Sequence, residues 1–194
     1  SSTEPNIQNI PIITEEGKII RSAFIPSNSN GILVTADYSQ IELRILAEMS
    51  NCDEMINDFN NGLDLHTSTA SKIHNVKYEE VTKDMRRIAK AVNFGIVYGM
   101  SDWGLSETLH ILPIDAAIFI EKYFGIYPEI KGFLDNLVLE ATKNGYSKTL
   151  FGRRRYIPEL TSNNHALRMF GERTSMNAPI QGTAADVIKI AMIN

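Results

Sequence analysis

The sequence holds one cysteine, one tryptophan and no surplus of positive charge. Each shortage excludes something. Cys52 alone cannot close an intramolecular disulfide, and no N-terminal stretch joins a basic start to an apolar run, so a reducing, non-secreted and therefore cytoplasmic setting is expected. No apolar run approaches the roughly 18 residues that a membrane-spanning helix needs, and no membrane is expected as a partner. Lys and Arg number 19 against 23 Asp and Glu, giving a net charge of −4 and a pI near 5.6, the opposite of a uniformly basic nucleic-acid binder. A polyanion would have to meet local clusters. Two exist, one at Lys83, Arg86, Arg87 and Lys90, the other at Arg153, Arg154 and Arg155. Internal repeats and long low-complexity tracts are absent.

With 43% hydrophobic residues over 194 positions, the chain can bury a core as one domain or as two lobes sharing a backbone. Ser1 to Asn30 is rich in Ser, Asn and Pro, with Pro5, Pro11 and Pro26 interrupting any period, which predicts loops and short strands. Ile32 to Ala36, following Gly31, predicts a buried strand that delivers Asp37 at its carboxyl end. From Ser39 the apolar period turns helical, and Ser39 with Glu42 has the spacing of a capping box. Helices are predicted near His66–His74, Thr82–Tyr98, Pro113–Phe124 and Glu129–Lys143, then around Asn164–Ser175, with a break at Pro179 and a last helix from about Thr183. The expected class is α/β (α+β), a strand-containing lobe with a helical one inserted. The apolar pattern from Val187 to Ile193 meets no cap by Asn194, so the chain is expected to be a fragment.

The most informative stretch is Thr82–Gly99. Thr82 can cap the helix start, Asp84 suits its positive end, and Gly99 can terminate it. At about 100° per residue, with Arg86 at zero, Lys90 falls near 40°, Phe94 near 80°, Arg87 near 100° and Tyr98 near 120°. Met85, Ile88, Ala89, Val92 and Ile96 gather between roughly 200° and 300° and must pack inward, leaving the basic and aromatic face exposed. Arg86 and Lys90 are about 6 Å apart along the axis, a reach suited to neighbouring phosphates of one triphosphate, with the aromatics where a base or sugar would lie. Gly95 costs about 1 kcal/mol of helix stability relative to Ala, which points to the close approach of something bulky beside Phe94. A solvated basic helix face is the ordinary alternative for any one such helix.

The longer string MRRIAKAVNFGIVYGM, Met85 to Met100, resembles the fingers helix of bacterial-type family A DNA polymerases, and TADYSQIELR, Thr35 to Arg44, resembles their palm motif. The resemblance covers the whole chain and implies a polymerase palm with a short antiparallel sheet and an inserted helical fingers lobe. It divides the chain into palm over 1–62, fingers over 63–150 and the palm's return over 151–194. It further implies template-directed addition of deoxynucleoside triphosphates to a primer 3′ end by two-metal-ion transfer, in replication or repair. Primer-template DNA and deoxynucleoside triphosphates would be the partners of a monomeric, nucleoid-associated enzyme.

Carried residue by residue, the resemblance implies a metal site from Asp37 and the carbonyl of Tyr38, with two Mg²⁺ ions in the complete enzyme and Mn²⁺ as the alternative. Hard oxygen donors suit such an ion. Arg86 and Lys90 would hold the triphosphate as catalytic cations, Arg87 would assist, and Tyr38, Gln40 and His66, the last in GLDLHTSTA, would line the nucleotide site. Glu42 has two compatible readings, the capping box with Ser39 and a steric gate against a 2′-hydroxyl. Phe94 would read the 3′-hydroxyl and Tyr98 would stack at the template position. DNA contacts would come from Asn6, Gln8 and Asn9 in EPNIQNIP, Arg21 in IRSAF, Arg153, Arg154 and Arg155 in TLFGRRRYIPEL, and Arg173, Asn177 and Gln181 in ERTSMNAPIQGTAAD. Asp186 does not match the family's second metal carboxylate, so these 194 residues alone are expected to be inactive. Two rivals are a single-subunit RNA polymerase, disfavoured by Glu42 and Phe94, and a binding-only nucleic-acid module.

Overall fold

Thr, Asp, Ser and Pro at the heads of the apolar stretches fix where most helices begin. The computed structural model describes residues 10–12, 14–28, 30–34 and 36–193. The chain divides into two compact units, Ser1–Ser39 and Gln40–Asn194.

In the first unit the expected loops and strands give way to a helix, α1 (Glu15–Ser22), because Thr14 accepts a hydrogen bond from the Gly17 amide at 3.1 Å and Glu15 and Glu16 occupy the positive end. A Cβ at Gly17 would strike the Pro11 carbonyl, so only glycine lets the preceding chain lie this close. The strand expected over Ile32–Ala36 does not form among the described residues. Ile32, Leu33 and Val34 are 82, 62 and 80% exposed. A strand requires a ladder partner, and the two paired strands described lie elsewhere in the chain.

The second unit is a helical assembly with one hairpin. Its elements are α2 (Ile41–Met49), α3 (Asp53–Asn60), α4 (Leu65–His74), α5 (Lys83–Val97), α6 (Asp102–Leu109), α7 (Pro113–Ile126) and α8 (Pro128–Asn144). The strands β1 (Tyr146–Lys148) and β2 (Arg154–Tyr156) and the helix α9 (His165–Ile193) follow. Asp64 caps α4, Thr82 caps α5 and Ser101 caps α6 through side-chain oxygens, while Pro113 and Pro128 open α7 and α8, where their missing N–H is not needed. The capping box expected at Ser39 and Glu42 is not made: Gln40 occupies the cap of α2 in the left-handed region, φ 55°, and no side chain caps the helix. One core joins Leu43, Leu46, Met55, Leu65, Val92, Leu105, Tyr123, Tyr127 and Ile180. Burying each such side chain favours folding by about 1.5 to 3 kcal/mol.

The break expected at Pro179 is absent, and α9 runs through it. Proline cannot donate to the carbonyl four residues back. Here that carbonyl, of Ser175, accepts instead from the buried Ser147 hydroxyl on β1 at 3.1 Å, so the helix loses a bond without leaving an orphan acceptor. The strands pair antiparallel, Tyr146 with Tyr156 and Lys148 with Arg154. Gly182 lets the hairpin sit directly on α9: a Cβ there would lie 2.5 Å from the Thr149 methyl.

Candidate functional site

Helix α5 divides as its periodicity requires. Ala89, Val92 and Ile96 are buried against the core, while Arg86, Arg87, Lys90 and Tyr98 are exposed and Phe94 is half-buried. Arg86 is held by Asp64 in a two-pronged ion pair, Nε to Oδ2 at 2.8 Å and Nη2 to Oδ1 at 3.0 Å. Such a fork fixes the guanidinium plane and leaves Nη1 for another acceptor. Asp64 also caps α4 through the Thr67 amide at 2.9 Å and accepts from the Gln40 amide at 3.3 Å. Burial alone would raise its pKa, but the bonds from Arg86 and Thr67 outweigh this and hold the carboxyl well below the usual range. Arg87 pairs with Asp84 at 2.7 Å, one turn away. Lys90 has no ion-pair partner among the described residues, and its Nζ lies 6.0 Å from the Phe94 ring centroid. The close approach expected at Gly95 is not made within the chain: Met100 would meet an added Cβ at 3.5 Å, ordinary contact.

Behind this face His66 sits in a buried polar group whose other members, Asn93, Thr69 and Tyr127, the sequence reading missed. His66 is 3% exposed and Asn93 is wholly buried, and the Asn93 amide nitrogen lies 3.1 Å from His66 Nδ1 and 3.2 Å from the Thr69 hydroxyl. The Thr69 hydroxyl in turn lies 3.3 Å from that of Tyr127. Burial lowers the His66 pKa to about 4; Asp64 opposes this, and Arg86 and Lys90 reinforce it. The imidazole is therefore neutral at neutral pH. Its ring is 5.6 Å from that of Phe94.

Where α5 ends, elements distant in sequence meet. The Tyr98 hydroxyl donates to Glu42 on α2 at 3.1 Å and also bonds Gln181 on α9. Asn177 donates to the Val97 carbonyl at 3.3 Å. Gly99, at φ 62°, ends the helix, and a side chain there would crowd Arg173 and Met176. Thus Glu42, Tyr98, Arg173, Asn177 and Gln181 are brought to one place, and the unbroken α9 is what keeps the last three in line.

The second basic cluster sits on the hairpin. Arg153 donates to Asp186 at 2.9 Å and to the Gly182 carbonyl at 2.9 Å, and Arg154 lies 4.7 Å over the Tyr146 ring. Arg155 is exposed and makes no ion pair among the described residues. With Lys148, Gln181 and Gly182 these arginines line a groove of about 190 Å³. Lys148 directly faces Arg154 across the ladder. Like charges so placed destabilise a sheet unless an anion lies over them.

Asp37 and Tyr38 are exposed at the end of the first unit, as is Arg21, whose guanidinium donates to the Ile10 carbonyl at 2.9 and 3.3 Å. Asn6, Gln8 and Asn9 lie outside the described residues. Among the described residues no group of three or more His, Cys, Asp or Glu is placed to hold a metal ion. No helix among them is long and apolar enough to cross a membrane. Asp64 was legible only in part: its spacing to Thr67 marks a cap, but nothing local announces a partner 22 residues away at Arg86.

Four similarities to known proteins bear on this geometry. The family model for DNA polymerase family A matches residues 1–194. DNA polymerase I of Geobacillus stearothermophilus is 57% identical over the whole chain, and that of Bacillus subtilis strain 168 is 55% identical. The POL domain of Pol1 from M. smegmatis, solved as a complex with DNA primer-template and dNTP, superposes with a TM-score of 0.94 at 49% identity, all of this chain matching 34% of that one. The chain spans 22% of the length of those two curated relatives.

Proposed function

The chain belongs to DNA polymerase family A, and from that membership we propose that it supplies part of the nucleotidyl-transfer core of a template-directed DNA polymerase. The observation that carries this reading is the exposed face of α5, where Arg86, Lys90 and half-buried Phe94 stand beside Tyr98 and Glu42. A deoxynucleoside triphosphate offers matching chemistry: phosphates for the cations, a sugar for the Phe94 and Glu42 wall, and a base for Tyr98. Arg86 and Lys90 bind the triphosphate, Lys90 as a mobile point charge and Arg86 as a plane already oriented by Asp64. His66 donates from Nε2 to the same phosphates, and Gln40 lies near them through Asp64. Arg87 supports the nucleotide or the duplex end.

Primer-template DNA follows from the remaining cations. Arg153, Arg154 and Arg155 neutralise backbone phosphates, while Arg173, Asn177 and Gln181 meet the terminal base pair, where minor-groove acceptors are common to all correct pairs. Asn6, Gln8, Asn9 and Arg21 are proposed as further contacts to the duplex. The palm and fingers division at about 62 and 150 gives the frame for these roles.

Asp37 and the Tyr38 carbonyl are the hard oxygen donors that Mg²⁺ prefers, but they are too few, and no cluster among the described residues completes the set. This chain's donors fit the ion in kind and not in number. When bound, such ions offset the charge of the attacking oxygen and of the leaving pyrophosphate. Purified alone, these 194 residues are expected to give no measurable primer extension, and robust metal-dependent synthesis by them would contradict the reading. The positive test is Arg86→Ala in the full-length polymerase: deoxynucleotide use should fall about tenfold or more, the scale of a lost charge-assisted contact, with duplex affinity unchanged. Unaltered kinetics would remove Arg86 from the site.

A further inference from the structure

Asn93 stands on α5 between its exposed and apolar faces and is completely buried. A buried amide without partners costs about 1 to 3 kcal/mol, so its neighbours must satisfy it. Its two hydrogens have one acceptor each, His66 Nδ1 at 3.1 Å and the Thr69 hydroxyl oxygen at 3.2 Å. Tyr127, itself buried, lies 3.3 Å beyond Thr69 and closes the chain of bonds.

An imidazole nitrogen that accepts a hydrogen bond carries no proton, so acceptance at Nδ1 leaves the proton of the neutral ring on Nε2. That nitrogen has no partner among the described residues. We propose that Asn93 is a positioning residue for the incoming nucleotide: by donating to Nδ1 it holds His66 as the Nε2–H tautomer, a fixed neutral donor for the triphosphate beside Arg86 and Lys90. The inference rests on the reading of His66 as a phosphate ligand. The reversed amide would offer its oxygen to Nδ1, draw the ring proton there, and turn a lone pair on Nε2 toward an anion. A neutral donor also spares the protein a buried cation behind the two exposed ones that face the phosphates, consistent with a ring that burial keeps unprotonated.

The test begins with the unaltered full-length polymerase carrying ¹⁵N-labelled histidine. His66 should show a protonated Nε2 and an unprotonated Nδ1; the opposite pattern overturns the inference whether or not any variant folds. Asn93→Asp replaces the donor by a charged acceptor of the same shape, and is compared at a pH high enough to keep the ring neutral beside it. It should shift the proton to Nδ1 and raise KM for deoxynucleotides about tenfold, the scale of one lost charge-assisted bond, while kcat stays within about twofold. Combined with His66→Ala it should add nothing, because Asn93 acts through that ring; additive losses would mean a merely structural role and overturn the inference. If His66→Ala leaves KM unchanged, the phosphate-ligand reading itself fails. If His66→Ala raises KM but Asn93→Asp changes neither tautomer nor KM, only the positioning role fails.

Discussion

Two clusters of like composition, the α5 face and the arginine run of the hairpin, are built in different ways. On α5 the four-residue spacing of Arg86, Lys90 and Phe94 returns each side chain to one face, and a carboxylate from another element, Asp64, orients the first of them. On the hairpin, consecutive arginines meet different surroundings: Arg153 reaches down to Asp186 and Gly182 on α9, Arg154 lies on Tyr146, and Arg155 stays exposed. The first arrangement concentrates donors within the reach of one small ligand. The second spreads charge along a surface, as a polymer backbone requires. Number of cations is therefore a poor guide to ligand, and spacing together with tethering is a better one.

The difference can be broken in order of effect. The α5 side contains a buried imidazole whose folded pKa, about 4, lies below the ordinary 6.5. Folding thus favours its neutral form, so the stabilisation is whole above pH 6.5 and is lost as pH falls toward 4, by up to about 3 kcal/mol. An NMR titration should find His66 uncharged at pH 5.5, and a midpoint near 6.5 would deny its burial. Lys90→Ala should reduce kcat/KM for deoxynucleotides about a hundredfold, the scale of removing one preorganised charge donor, as read by single-nucleotide incorporation. Asp64→Asn keeps the cap but loosens the Arg86 fork, and a fall of about tenfold is expected in the same assay. On the hairpin, Arg155→Ala should weaken duplex binding only a few-fold and lower the salt slope of binding by about one, leaving nucleotide kinetics alone. The smallest effect belongs to Lys148→Ser, which relieves the repulsion facing Arg154 and should raise stability by about 0.2 to 1 kcal/mol in denaturant melts without DNA.

Sequence and structure agree where the governing interactions are local. Thr82, Gly99 and the intervening period define α5 within a residue of its observed ends, and the same period separates its buried from its exposed face. They part where a remote partner decides. Pro179 reads as a break until Ser147, 32 residues earlier in the chain, satisfies the carbonyl it abandons. Ile32 to Val34 read as a buried strand from their β-branched composition, but composition does not provide the neighbour a ladder needs. The helix over Glu15–Ser22 has too little apolar content to announce itself, with Gly17 its sole buried residue. In the site, Arg86 and His66 were visible and their partners were not: Asp64 and Asn93 contact them across 22 and 27 residues of chain.

We propose that the α5 face recognises a triphosphate and the hairpin a duplex. In the full-length polymerase, the deoxynucleotide and primer-template dissociation constants should be measured side by side for Lys90→Ala and Arg155→Ala. A crossed pattern is expected, with Lys90→Ala weakening nucleotide alone and Arg155→Ala weakening duplex alone. Two variants that weaken both ligands in parallel would contradict it.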